Sequence, residues 1–351
     1  MNKGFKSKIT LAIILIVVII IAILGVFTFK YTENKKSPFS TTDKVLDINV
    51  QKGEYLYTVL DQLEAKGIIK NSFLTKVYLK LNPSETDIKP GDYEIPGNIN
   101  LDGFVNMLVK GEVATYKITF PEGFTIQKMA DRLQDQGIMK ASVFIDAVKN
   151  YPLPSYIKPS SERRYNLEGF LYPDTYNIPK TATADDIISM MLNQFQKEML
   201  IAQQEAGVKI NEDQYQKYVT IASMIEGEAS TKEDRAKVAS VIYNRLAIHM
   251  PLQLDATVLY AMGEHKSVVY NKYLEIDSPY NTYKVPGLPI GAICSPGVDA
   301  LEAALKPAKT DYLYYVLNPG SDQHFFTKSY AEFSVAAEKY SKYIAEQQKE
   351  K

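Results

Sequence analysis

A single cysteine, Cys294, stands in a chain of 351 residues, and tryptophan is absent. One cysteine excludes an intramolecular disulfide framework and cannot build a thiolate metal site. Histidine is almost as scarce: His249, His265 and His324 are the three, and none lies in an H-E-x-x-H motif. A zinc hydrolase is therefore not expected, and the sequence assigns no metal or cofactor. Neither sign of charge is in surplus, with 40 Lys and Arg against 41 Asp and Glu. No basic excess points to a nucleic-acid partner. What is plentiful is tyrosine, 25 residues. Tyrosine rings make sugar-stacking faces, and they serve equally as ordinary core and surface aromatics.

The sharpest change in composition is at the N-terminus. Ile9 to Phe29, ITLAIILIVVIIIAILGVFTF, carries no charge. At ~1.5 Å per residue the run spans a ~30 Å hydrocarbon core. It is longer than the apolar centre of a cleaved signal peptide and lacks an A-x-A ending, so an uncleaved transmembrane anchor at 9–29 is expected. Lysines flank it on both sides, at 3, 6 and 8 and at 30, 35 and 36, so the positive-inside rule barely decides orientation. The bulk of the chain follows the run and a second span is absent. The expected arrangement is a cytoplasmic tail at 1–8, a single pass in the cell membrane, and an extracytoplasmic body. Residues 30–44 are polar and read as a linker.

Beyond the linker lies a weak internal repeat. KGEYLYTVLDQLEAKGIIKNS (52–72) aligns with EGFTIQKMADRLQDQGIMKAS (122–142) at a constant offset of 70. Each copy follows an alternating, strand-like segment, VLDINVQ or YKITFP. Each then shows a helical apolar stripe, Val59, Leu60 and Leu63 or Met129, Ala130 and Leu133. Gly67 or Gly137 closes it as a C′ glycine, and a further short helix follows. KPGDYEIP (89–96) reads as turn then strand, LDGFVNMLVKG (101–111) as a helix, and NLEGFLYPDTYNIP (166–179) as a loop-like connector. From about Ala182 onward the pattern is mainly helical. The predicted fold class is α+β: small β-α-α modules at 45–112 and, with the connector, 113–180, then a larger and mostly helical domain at 181–346 with some strands.

Two acids sit near the end of an apolar run in IASMIEGEAS (221–230). On a helix over 214–229, Ile221, Met224, Ile225 and Glu228 share one face. Glu226 lies about 160° away, beside Val219, Ala222 and Ser223. The two carboxyls cannot form a same-face pair. Glu228 continues the apolar stripe, so its carboxyl should be partly desolvated and held toward the protonated form, as a general acid requires. A salt-bridged helix-end carboxylate fits the same spacing. Glu226 fits a supporting role. Ser230 to Glu233 reads as a capping box that opens a second helix, leaving Glu228 at a corner between two helices.

Together with IEGEAS, the segments KVASVIYNRL, LQLDATVLYAMG (252–263), YNTYKVPGLPIGAICSPG (280–297), PAKTDYLYYV (307–316) and EGFLYPDT form an ordered set of blocks over roughly 166–327. In this order they resemble the YceG-like, MltG-type endolytic murein transglycosylases. Gly227 departs from the larger polar residue expected there. The resemblance implies that the second glutamate of the E-x-E pair, here Glu228, is catalytic, and that the module at 45–112 is LysM-like. It implies substrate contacts from Gln253, Asp255, Tyr280, Asn281 and Tyr283. Each of these five fits packing or turn formation as well, and Asp255 could cap a helix beginning at Ala256.

The implied reaction needs one carboxyl. A lytic transglycosylase cleaves the bond between N-acetylmuramic acid and N-acetylglucosamine within a glycan strand. The C6 hydroxyl of the muramic acid attacks its own C1 and leaves a 1,6-anhydro end. One group can protonate the leaving oxygen and then accept the hydroxyl proton. Peptidoglycan is the implied substrate, and wall-synthesis, elongation or division machinery are the implied partners in wall assembly and strand termination. Two rivals share these residues: a hydrolytic muramidase, which requires a second carboxylate, and a glycan-binding scaffold of the synthesis machinery.

Overall fold

The computed structural model describes residues 3–40, 44–82, 87–263 and 271–349. Residues 1–2 of the expected tail, 41–43 of the expected linker, 83–86 of the first module and 264–270, with His265, lie outside the described residues. By contact the chain divides into two compact units, Met1–Tyr116 with Asn177–Thr181, and Lys117–Tyr176 with Ala182–Lys351. The fold is mixed helix and strand, with twelve α-helices and six strands among the described residues.

The first unit opens with α1 (Lys3–Lys36), whose segment Lys8–Lys36 is long and apolar enough to cross a membrane. The expected linker 30–44 differs from its sequence reading. The helix runs on past Phe29 to Lys36 because nothing breaks it before Pro38. The segment is also packed. Buried Asn34 donates through Nδ2 to Thr75 Oγ1 at 3.0 Å, and Phe39 is buried edge-to-face against Phe104, ring centroids 5.2 Å apart.

The alternating strand β1 (Val45–Val50) buries Leu46, Ile48 and Val50 and turns its other side outward. Two helices follow, α2 (Leu56–Ala65) and α3 (Ser72–Leu81), the first closed by Gly67 at φ +69° as its position predicts. Strand β2 (Gly91–Pro96) then pairs antiparallel with β1, from Val45 opposite Pro96 to Val50 opposite Gly91. Helix α4 (Leu101–Lys110) adds Phe104 and Leu108 to a core with Leu56, Leu60, Tyr93 and Ile95. Each such side chain contributes about 1.5–3 kcal/mol on burial.

Strand β3 (Thr115–Thr119) pairs with β4 (Thr175–Pro179). The loop-like reading of 166–179 therefore gives way to a strand at its end: Tyr176 and Ile178 alternate inward among polar neighbours, a pattern that prolines and tyrosines had masked. Between these strands lie α5 (Ile126–Asp135) and α6 (Ala141–Asn150), packed on each other.

The rest is mainly helical: α7 (Ala184–Ala206), α8 (Tyr215–Glu228), α9 (Lys232–Ala247), α10 (Asp255–Met262) and α11 (Val298–Leu305). The short α11 packs against α7, α8 and α9 through its buried Leu301 and its buried Ala300, Ala303 and Ala304, whose small side chains permit close approach. A hairpin of β5 (Tyr314–Leu317) and β6 (His324–Thr327) follows, backed by α12 (Tyr330–Lys349).

Candidate active site around Glu228

Helix α8 stops at Glu228 because Ala229 turns to extended backbone, φ −133° and ψ 131°. Helix α9 opens one residue later than the predicted capping box. Thr231, not Ser230, is the N-cap, and its hydroxyl accepts from the Asp234 N–H at 3.3 Å. Glu228 thus occupies the corner between α8 and α9. The residue is half-buried. Burial pushes its carboxyl pKa up to about 7, and the charge of Asp255 adds to this. The Tyr315 hydroxyl, the Ala256 backbone N–H and the Arg245 charge act in the opposite direction. The Tyr315 hydroxyl donates to Glu228 Oε2 at 2.9 Å.

Glu226 is held differently. Oε1 accepts from Arg235 Nη2 at 2.7 Å and Oε2 accepts from the Gly297 N–H at 3.0 Å. Burial raises its pKa even so, with Arg235 as the main opposing influence. Arg235 also faces Glu122 and Asp299 and donates through Nε to the Ala229 carbonyl. Both oxygens of Glu226 are engaged in joining α8, α9 and the start of α11.

One expectation about α8 is corrected. The sequence suggested one apolar face bearing Glu228, but Val219 through Ile225 are all buried, on both sides of the helix. Both glutamates are therefore desolvated, and partners rather than faces distinguish them.

The loop before α11 is fastened along α8. Ser223 Oγ accepts from the Ile293 N–H at 3.1 Å, and the Cys294 thiol donates to the Ser223 carbonyl at 3.3 Å. Gly227, the departure noted above, lets α10 come close: a Cβ at 227 would stand 3.0 Å from Ala256 Cβ.

The five predicted substrate contacts separate into two groups. Gln253 and Asp255 are exposed, and Tyr283 is half-buried. Gln253 holds φ +50°, uncommon for a residue with a side chain, while its N–H donates to the Thr282 carbonyl at 3.1 Å. Asp255 accepts from the Tyr283 hydroxyl at 2.6 Å. It is the first residue of α10 and follows the N-cap Leu254, so it is not the cap itself. Tyr280 and Asn281 are buried. Tyr280 packs edge-to-face on Tyr260 at 4.8 Å, and its hydroxyl accepts from the Arg164 N–H. Asn281 donates to the Leu274 and Ile276 carbonyls and accepts from the Tyr283 N–H. Both shape the loop from inside.

Sequence reading did not single out Tyr315, Arg245 or Glu168. Tyr315 lay in the quoted YLYYV block, and its inward phase depended on a hairpin register that local pattern does not reveal. Buried Arg245 donates to the Leu252 and Leu313 carbonyls at 2.6 and 2.7 Å, tying the LQLD segment and the hairpin approach to α9. Buried Glu168 accepts from the Ile126 N–H at 2.9 Å and the Tyr260 hydroxyl at 2.8 Å, and burial pushes its pKa up to about 7. Among the described residues, no group of three or more His, Cys, Asp or Glu side chains could hold a metal ion.

The arrangement defines a mixed α+β protein with an N-terminal apolar helix and, at a helix corner, a carboxyl held toward its protonated form by burial. The chain belongs to the YceG-like family, whose model matches residues 48–339. It is 36% identical over 328 residues to a Bacillus subtilis protein named endolytic murein transglycosylase, covering 89% of each. A Streptococcus pneumoniae protein of the same name is 31% identical over 321 residues. The match covers 83% of this chain and 58% of that longer protein. A crystal structure of a YceG-like protein from Listeria monocytogenes superposes with a TM-score of 0.56 at 34% identity. It covers 84% of this chain and 99% of that one.

Proposed function

We propose that this chain is an endolytic murein transglycosylase, a lyase of peptidoglycan glycan strands, with Glu228 as its single catalytic acid and base. The observation that carries the assignment is the division of labour between the acids. Burial holds the Glu228 carboxyl toward its protonated form near neutral pH, while both oxygens of Glu226 are committed to Arg235 and Gly297. The names of the similar proteins support the same reading.

In this mechanism the protonated Glu228 gives its proton to the oxygen linking N-acetylmuramic acid to N-acetylglucosamine. The C1–O bond breaks, and the muramic acid C6 hydroxyl attacks C1. The resulting Glu228 carboxylate takes the hydroxyl proton and is restored. No second carboxylate and no water acceptor are required, which separates this reaction from a two-carboxylate hydrolase. Gln253, Asp255 and Tyr283 are the surface groups proposed to meet the glycan, and Tyr280 and Asn281 hold their loop in shape. The β1-α2-α3-β2 order supports a LysM-like reading of 45–112 as a glycan-affinity module. Helix α1 acts as a single-pass anchor with the body on the extracytoplasmic side, so protease added to intact spheroplasts should digest the body.

The test is digestion of isolated sacculi by the full-length protein in detergent, with products read by mass spectrometry. Strands should end in 1,6-anhydro-muramic acid, and Glu228→Gln should lower the rate by ~10²–10⁴-fold. Free reducing ends would instead identify a muramidase, and a fully active Glu228→Gln would remove the assignment.

A further inference from the structure

One hydroxyl reaches the Glu228 carboxyl from a separate element. Tyr315 on β5 donates to Oε2 at 2.9 Å, linking the β-hairpin to the end of α8. The hairpin register fixes the direction of that hydroxyl. Tyr315 lies opposite Phe326, and Leu317 lies opposite His324. Because side chains alternate along a strand, Tyr315, His324 and Phe326 share one face of the hairpin. The Tyr315 ring packs edge-to-face on His324 at 5.4 Å and tilted on Phe326 at 5.9 Å.

His324 is itself tied down. Its backbone N–H donates to Asp234 Oδ2 at 2.7 Å, and its Nδ1 lies 3.0 Å from the same oxygen. Asp234 is buried in the first turn of α9. A chain of named contacts therefore runs Asp234, His324, Tyr315, Glu228, from the start of α9 through the hairpin to the end of α8. Tyr314, the next residue, turns to the opposite face and stacks on Phe333 of α12 at 5.4 Å. The hairpin is thus held on both sides, and the tyrosine ring has little freedom to swing.

We propose that Tyr315 is a positioning residue for Glu228: its hydroxyl aims the carboxyl at the glycosidic oxygen and stabilises the carboxylate left after proton donation. The assignment rests on the reading of Glu228 as the acid and base. A phenol donates a stronger hydrogen bond to a carboxylate than to a carboxylic acid, so the contact strengthens as Glu228 loses its proton. The Tyr315 contact engages Oε2, and the Ala256 N–H is a further donor to the same carboxyl. The further charged and titratable groups facing Glu228 are Asp255 on α10, Arg245 on α9 and Tyr283 in the loop before α11. Tyr283 already donates to Asp255, so the hydroxyl serving Glu228 is that of Tyr315.

Tyr315→Phe in the full-length protein keeps the ring against His324 and Phe326 and removes only the hydroxyl. On sacculi, kcat should fall roughly tenfold, with KM within about twofold. The alkaline fall of kcat/KM, which reports deprotonation of Glu228 in free enzyme, should move to higher pH by about half a unit or more. Tyr243→Phe is the control, because Tyr243 also carries a half-buried hydroxyl, bonded to the Ala304 carbonyl at 2.7 Å and not to Glu228. That variant should lose some thermal stability and keep the wild-type pH profile. The proposal is overturned if Tyr315→Phe loses stability as Tyr243→Phe does while its alkaline limb stays in place. Failure of the underlying reading looks different: wild-type enzyme would then yield no 1,6-anhydro ends, or Glu228→Gln would remain active.

Discussion

Glu226 and Arg235 form an ion pair of 2.7 Å in which both side chains are less than a tenth exposed. The pair joins the last turn of α8 to the first turn of α9, and the Gly297 N–H completes it on the other carboxyl oxygen. Removing Glu226 leaves the buried Arg235 only its longer contacts of 3.6 Å to Glu122 and Asp299, so the cost lies below the ~3–5 kcal/mol of a wholly unpaired buried charge. Glu226→Ala should therefore lower the urea midpoint substantially. Glu226→Gln keeps the shape and one acceptor, and should retain a substantial part of the activity at temperatures where it stays folded. An inactive Glu226→Gln beside an active Glu228→Gln would reverse the roles of the two acids.

Stability should fall as pH rises toward neutrality. The pKa of Glu168 stands at about 7 in the folded protein against an ordinary 4.5. A carboxyl with a raised folded-state pKa contributes its full stabilisation below the unfolded value and loses it as pH climbs through the folded value. For Glu168 the window runs from about 4.5 to about 7, and the loss approaches ~3 kcal/mol. Glu228 titrates over the same window, its pKa likewise pushed up to about 7 by burial. Glu168→Gln should flatten the dependence of the denaturant midpoint on pH between 5 and 8. Glu228→Gln should lose activity yet be more stable than wild type at pH 8.

Gly169 has a demanding position beside Glu168. Its φ is +86°, and an added Cβ would stand 2.5 Å from Ala292 Cβ and 2.7 Å from Val219 Cγ1. Both the backbone angle and the close approach therefore require glycine. Gly169→Ala should destabilise by about 2 kcal/mol or more, measured by chemical unfolding. It should also depress activity, because Val219 and Ala292 lie on the helix and loop that present Glu226 and Glu228.

Residues 45–112 share one buried core with Phe39. If the module supplies glycan affinity, its deletion should raise KM on sacculi and leave kcat within about twofold. Circular dichroism would confirm that the shortened protein is folded. A loss of kcat at saturating glycan would assign the module a part in catalysis.

Local pattern was sufficient for a large part of the architecture. The uncharged run predicted α1, strict alternation predicted β1, and Gly67 and Gly137 marked helix ends where the backbone takes positive φ. These signals are short-range, since each depends on neighbours within a turn or two. β4 was obscured because proline and tyrosine in 166–179 carry strong loop signals, while its partner β3 lies far away in sequence.

For the site, sequence determined where the two acids fall: at a helix end, two residues apart, on opposite sides of α8. Tertiary structure decided what each could do. Because α8 is buried on both sides, desolvation acts on both carboxyls, and long-range partners separate them. Arg235 and Gly297 bind Glu226 into the frame, while Tyr315, 87 positions away from Glu228 in the chain, meets a carboxyl that can still hold a proton near neutral pH. Such partnerships depend on hairpin register and helix packing, which set distances that no local stretch of sequence encodes.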